Sequence, residues 1–304
     1  MPLHYELSDL RLLLILMRTR SLSASGEAAH LTTSAVSLRL RKLEDGIGAQ
    51  LFTRTGKGLV PTEAGTALAE AAVAILAEAA ALDARLNPFS KHDPEPLRIF
   101  SNSTGLQNFL CRIAADYLRE NSSFRAVLTE QRSSLTPEAV LTGEADLGLI
   151  GGIRELSPAY RTKLELVQFV EDRHVVILPR DSSAAQQFKN RPILFAELLN
   201  LRFAALTDAS PMTAAMKERA LAAGFRFEPI IEAPSFSLLV ELVARGPLAA
   251  VVPASAVPPN APVEVRELED SWAARPLAFV LPKARPALPS AIDFVEFALR
   301  TQKR

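Results

Sequence analysis

The chemistry-bearing residues of this 304-residue chain crowd near its N-terminus, and they are hydroxyls and cations rather than acid–base pairs. From Thr32 to Glu44 the run Thr-Thr-Ser-Ala-Val-Ser-Leu-Arg-Leu-Arg-Lys-Leu-Glu sets Val36, Leu40 and Leu43, with Ile47 beyond, on one stripe at helical spacing. Thr32 stands at the N-cap. The opposite face then carries Ser34, Ser37, Leu38, Arg41 and Lys42. Such groups suit phosphate oxygens and base edges, not bond cleavage. Leu51 to Thr62 follows as a short hairpin, with Gly56 and Gly58 at its tip and Arg54 and Lys57 flanking it. A basic loop of this kind reaches sugar-phosphate beside the groove that a helix occupies.

The elements that must position these groups are equally local. A short helix over 22–29 precedes the Thr32 helix, and His30-Leu31-Thr32 forms the turn between them, which together predict a helix-turn-helix. A first helix over 7–19, capped by Ser8 and rich in leucine, packs behind it. The helix from Glu63 to about Leu86 has Leu68, Ala72, Ile75, Ala79, Leu82 and Leu86 stepping by four and three, a heptad seam. Pairing with a second chain is the favoured reading of that seam; packing on its own domain is the alternative. Residues 87–96, proline-rich and polar, form a hinge.

The run from Ala28 through Leu31-Thr32, Ser34-Ala35-Val36-Ser37, Arg41-Lys42-Leu43-Glu44, Gly48, Leu51-Phe52-Thr53-Arg54 to Thr62-Glu63-Ala64-Gly65 resembles the N-terminal domain of the LysR-type transcriptional regulators. The chain departs from the family pattern at Thr33, usually a longer polar residue, at Leu38, usually polar or basic, and at Gly26, usually alanine. The resemblance implies a DNA-binding regulator, not an enzyme, that recognises duplex operator DNA as a homodimer or homotetramer and works with RNA polymerase. The residues it places at DNA are Ser23, Thr32, Thr33, Ser34, Ser37, Leu38, Arg39, Arg41, Lys42, Arg54 and Lys57. Arg41, Arg54 and Lys57 would hold phosphates, while Thr33, Ser34, Ser37, Leu38 and Arg39 would face base edges.

Past residue 96 strands alternate with helices, which argues a mostly parallel sheet with helices on both faces. Strands are expected at 97–100, 124–129, 145–150, 174–178, 201–206, 227–232, 248–252, 264–268 and 277–281. Helices are expected at 106–118, from Thr136 (N-cap) and Pro137, at 211–223, 235–244 and 290–299. Two such units resemble the family's effector domain, which is built like a periplasmic solute-binding protein. The expected division is a winged helix-turn-helix over 1–62, a linker helix and hinge over 63–96, and an effector domain over 97–304. Within the last, one subdomain takes 97–165 with 269–304 and the other takes 166–268.

In open α/β sheets ligands sit beyond the carboxyl ends of the strands. That points to Ser101, Asn102, Ser103 and Thr104, whose hydroxyls and N–H groups at a helix start suit an anion. Glu130, Gln131, Ile150, Gly151, Thr207, Asp208, Met212, Ser235 and Phe236 are the other strand-end candidates for a small-molecule effector. No aromatic or cationic cluster marks the ligand.

Other function classes find little support. Lys and Arg together number 34 and match 34 Asp and Glu, so net charge gives no sign of nucleic acid, although five cations face two acids between Arg39 and Gly58. His4, His30, His92 and His174 show no metal spacing, and neither metal nor cofactor is expected. No nucleophile elbow, P-loop or dinucleotide fingerprint occurs. Asp146 and Asp208 are strand-end carboxylates without a base. Cys111 is the only cysteine, read as a core residue. No signal peptide is visible and no run reaches membrane-spanning length, so a cytoplasmic protein is expected. The rival reading is a solute-binding or enzymatic α/β protein whose N-terminal helices serve oligomerisation.

Overall fold

The computed structural model describes residues 5–56, 58–86, 95–153, 156–189, 191–208, 210–283 and 287–302. Three helices, α1 (Leu7–Thr19), α2 (Leu22–Ala29) and α3 (Thr33–Ile47), precede a hairpin of β1 (Phe52–Thr55) and β2 (Gly58–Pro61). Leu10, Leu13 and Leu16 of α1 are buried with Val36, Leu40 and Leu43 of α3 and with Leu51 and Leu59 of the hairpin. The start of α1 differs from expectation. Glu6, not Ser8, is the N-cap, because Asp9 accepts the Glu6 N–H and closes a capping box. Thr32 caps α3 as expected, accepting from the Ala35 N–H, a contact worth about 1 kcal/mol.

The long helix α4 (Glu63–Leu86) does not present its heptad positions as one seam. Ala72 is fully buried and Leu68 packs into the α1–α3 core, along with Ala69 and Leu76. Only the distal positions Ile75, Leu82 and Leu86 remain exposed apolar residues. Leu68 and Ala72, two of the six positions of the expected dimerisation stripe, are thus consumed within the chain. Contrary to expectation, Glu63–Asp83 is long and apolar enough to cross a membrane by length and composition, with a mean hydropathy of 1.6. Alanines supply much of that hydropathy. Most of the hinge expected at 87–96 lies outside the described residues, as do His4, Lys57 and His92.

The rest of the chain builds β3 (Leu97–Ser101), α5 (Ser103–Gly105), a π-helical turn over Leu106–Leu110, α6 (Cys111–Glu120), β4 (Ala126–Glu130), α7 (Thr136–Leu141), β5 (Leu147–Gly151), α8 (Pro158–Lys163) and β6 (Leu164–Glu171). After the crossover come β7 (His174–Pro179), α9 (Ser183–Gln187), β8 (Ala204–Leu206), α10 (Pro211–Ala222), β9 (Ile231–Ala233), α11 (Phe236–Arg245), β10 (Ala250–Pro253) and β11 (Val263–Glu267). The chain then returns through β12 (Pro276–Pro282) and closes on α12 (Pro289–Gln302). The first sheet has the order β4-β3-β5-β12-β6.

The mostly parallel expectation holds with one reversed strand in each unit, β12 in the first and β7 in the second. β3 pairs parallel with β4 and β5, but β12 runs antiparallel to both β5 and β6. In the second unit β7 is antiparallel to β10 and β11, while β8 pairs parallel with β9 and bridges to β10 through Phe203 and Ala249. β6 was not anticipated. Its pairing with β12 carries the first unit to Glu171, beyond the boundary expected at 165. At α7 the cap differs as well: Leu135 is the N-cap, and the Thr136 hydroxyl donates to Arg132 O. Cys111, expected in the core, is exposed.

The head and the first sheet touch. A Cβ on Gly143, just past α7, would lie 2.5 Å from the Ala80 Cβ of α4, so the turn and helix meet at van der Waals closeness. Arg18, at the end of α1, reaches Glu138 of α7 at 4.0 Å and Glu144 at 3.8 Å. Burial raises the Glu138 pKa, and Arg18 and a hydrogen bond from Tyr160 pull it back.

Candidate nucleic-acid interface and ligand cleft

The expected DNA-facing groups converge on α3 and the hairpin. Thr33, Ser34, Leu38, Arg41 and Lys42 are exposed and Ser37 is half-buried. Leu38 is 53% exposed and stands among these polar groups. Arg54 donates from Nη2 to Ser37 Oγ at 3.2 Å, which ties the hairpin to the exposed face of α3. Glu44 accepts from the N–H groups of Leu51 and Phe52 and anchors the hairpin base. Ser23 is exposed at the start of α2, and its hydroxyl lies 3.0 Å from that of Ser21.

Arg39 is not placed with these groups. Its guanidinium turns back to α1, where it pairs with Asp9 at 2.9 Å and bonds Ser8. It braces α3 on α1 instead of standing beside Arg41. Gly26 also proves to have a role. A Cβ there would lie 2.6 Å from Leu31 O, so the helix-turn-helix turn closes directly on the glycine.

The strand-end residues divide into three groups. Asn102 caps the α5 start, accepting from Gly105 N–H and donating to Ser133 Oγ, with Ser103 beside it. The Ser101 hydroxyl is spent on Leu149 O at 2.6 Å and lies under Gly105, and Thr104 is buried. Ile150 points into the core with Phe100 and Val280, so its side chain lines nothing. Gly151 meets the Arg275 guanidinium, 2.9 Å from where its Cβ would stand. Glu130 is exposed, and the Gln131 Nε2 is buried without a partner. In the second unit Thr207 is exposed, Asp208 pairs with Lys217, Met212 packs into the core, Ser235 caps α11, and Phe236 is half-buried. Asp146 proves to lie before β5, at the opposite end of that strand, locked to Arg98 at 2.7 Å.

What the sequence did not reveal is the connection between the two units. Asp172, 2% exposed, accepts from Ser255 N–H, Ser255 Oγ and Arg275 Nη1, and Asn108 of the π-helical turn donates to Ser255 Oγ. Burial lowers the Arg275 pKa and Asp172 offsets that. One carboxylate thus joins both crossover segments and both sheets.

A winged helix-turn-helix with a long helix leading to a two-sheet α/β module defines the class. The chain belongs to the LysR family: residues 7–66 match the model of the bacterial regulatory helix-turn-helix protein, lysR family, and residues 90–303 match the LysR substrate binding domain. It is 29% identical over 215 residues to the RuBisCO operon transcriptional regulator of Allochromatium vinosum, covering 71% of this chain and 68% of that one. It is also 29% identical over 184 residues to the uncharacterized HTH-type transcriptional regulator YeiE of Escherichia coli (strain K12). That match covers 60% of this chain and spans 60% of the relative's length. Among solved structures, a full-length OxyR variant from Pseudomonas aeruginosa superposes with a TM-score of 0.61 at 20% identity, covering 98% of this chain and 95% of that chain. Full-length CbnR complexed with its target DNA does so at 0.53 and 18% identity, covering 98% and 100%. These likenesses show the fold.

Proposed function

We propose that this protein is a sequence-specific DNA-binding transcriptional regulator whose C-terminal module takes a small, anionic effector. The observation that carries the reading is the Arg54–Ser37 bond, which holds a basic hairpin beside an exposed helix face bearing Ser34, Leu38, Arg41 and Lys42. Arg41, Arg54 and Lys57 contact phosphates; Thr33, Ser34, Ser37 and Leu38 face base edges, with Leu38 against a thymine methyl. The division is a head over 1–62, a linker over 63–96 and an effector module over 97–304, acting in the cytoplasm without catalysis. Two copies pair through the exposed distal part of α4, and RNA polymerase is a partner at the promoter. Asn102, Ser103 and Gln131 offer polar groups to the effector, and its binding shifts the angle between the two sheets.

A salt-titrated binding assay on DNA upstream of the gene, with footprinting, tests this. The expected result is a protected inverted repeat and an affinity that falls steeply with salt. Binding no tighter than to random duplex would remove the reading for that site and favour a solute-binding role for the C-terminal module.

A further inference from the structure

Where the crossover enters the second unit, two side chains with unpaired buried nitrogens, His174 and Trp272, meet a guanidinium, that of Arg219. His174, the first residue of β7, is paired with Pro253, the last of β10, and Trp272 lies on the returning segment between β11 and β12. Their rings stand 5.9 Å apart. The His174 Nδ1 and the Trp272 Nε1 are both buried and neither has a partner. The Arg219 guanidinium of α10 stacks on the Trp272 ring at 4.9 Å; its Nη1 donates to Ala215 O, and no carboxylate pairs with it among the described residues.

Two adjacent orphaned nitrogens are unusual, since an unpaired buried polar group costs about 1–3 kcal/mol. What would satisfy them follows from their chemistry. Indole and guanidinium only donate, and a neutral imidazole donates from one nitrogen. For Trp272, and for His174 with its proton on Nδ1, the missing group is therefore an acceptor, and the neighbouring cation favours a negative one. The protein does not supply it: Asp172 is already engaged by Ser255 and Arg275. Burial, followed by the charges of Arg275 and Arg219, lowers the His174 pKa to about 4, so both guanidiniums act on this spot.

We propose that His174, Trp272 and Arg219 form a binding site for a small oxyanion, a carboxylate or a phosphate group, on the hinge side of the second sheet. None of these residues belongs to the strand-end set around Asn102, so the site stands apart from the effector reading. An anion held there links the outgoing crossover, the returning crossover and α10, and so bears on the relative setting of the two units.

Trp272 is the only tryptophan in the chain, so its fluorescence reads the site directly. The full-length protein is titrated with inorganic phosphate and separately with acetate, at ionic strength held constant with sodium chloride. The expected result is a saturable change with at least one of them, and which one separates a phosphate site from a carboxylate site. Arg219→Gln and, independently, His174→Gln should each raise the half-saturating concentration about tenfold, the effect of one lost charge-assisted hydrogen bond, with circular dichroism unchanged. No saturable response to either anion, or a response that both folded variants retain unaltered, overturns the site. If one variant fails to fold, the wild-type titration and the other variant decide.

Discussion

Asp172 accepts both the backbone N–H and the hydroxyl of Ser255, at 3.1 and 2.9 Å, although 83 residues separate them. The carboxylate also receives Arg275, so a buried ion pair ties the two crossing segments together. Removing one member of a buried pair leaves the other desolvated and unpaired, which costs about 3–5 kcal/mol. Asp172→Ala is expected to cost that much in urea unfolding of the second unit, whereas Ser255→Ala, which leaves the Arg275 pair intact, should cost about 1 kcal/mol. Equal effects would mean that the charge pair contributes nothing beyond the hydroxyl.

Gly26 reverses the usual expectation for a glycine inside a helix. Propensity alone favours Gly26→Ala by about 1 kcal/mol. The turn leaves no room for it, since the Cβ would lie 2.6 Å from the Leu31 carbonyl oxygen and that oxygen belongs to backbone. Overpacking of this kind costs about 1–3 kcal/mol, so the variant should melt lower than the parent. A melting temperature that rises would show that the helix-turn-helix turn opens without cost.

What was legible in the sequence was local. The α3 cap at Thr32, its inward stripe, the Ser235 cap of α11 and the hairpin after Leu51 depend on residues a few positions apart, and all formed as read. The antiparallel strands were not legible as such, because β12 takes its direction from a crossing made about a hundred residues earlier. β6 escaped notice because Leu164–Glu171 is an edge strand with polar residues interleaved and only Leu164 fully buried. The hinge network was hidden for the same reason: Asn108 and Ser255 are 147 residues apart, and nothing about either residue alone announces the other. The α4 seam was misread in part because a heptad describes which residues share a stripe, not whether α1 or a second chain covers it.

His174 gives the protein an acid-side instability. Its pKa is about 4 in the folded protein against about 6.5 unfolded, so between those values the unfolded chain binds more protons. Stability is fully present above about pH 6.5 and is lost as pH falls toward 4, by an amount on the order of 3 kcal/mol. Unfolding free energies measured across that window should decline less steeply in His174→Gln than in the parent. Parallel slopes would assign the acid sensitivity to other groups.

Arg39 and Arg54 lie on the same helix–hairpin face in sequence terms, yet the structure gives them different work. Arg39 pairs with Asp9 at 32% side-chain exposure, so Arg39→Ala should lower the stability of the head by about 1 kcal/mol and alter DNA binding only through that loss. Arg54 donates to the Ser37 hydroxyl of α3 and is exposed, so Arg54→Ala should leave stability within about 0.5 kcal/mol. Its effect should appear on DNA: affinity falls on every sequence, and the slope of log affinity against log salt becomes shallower by about 1, the signature of one lost phosphate contact. Thermal melts and salt titrations of the two variants side by side separate the roles. An unchanged salt slope in Arg54→Ala together with a reduced one in Arg39→Ala would exchange the two assignments, and would require Arg39 to leave Asp9 when DNA binds.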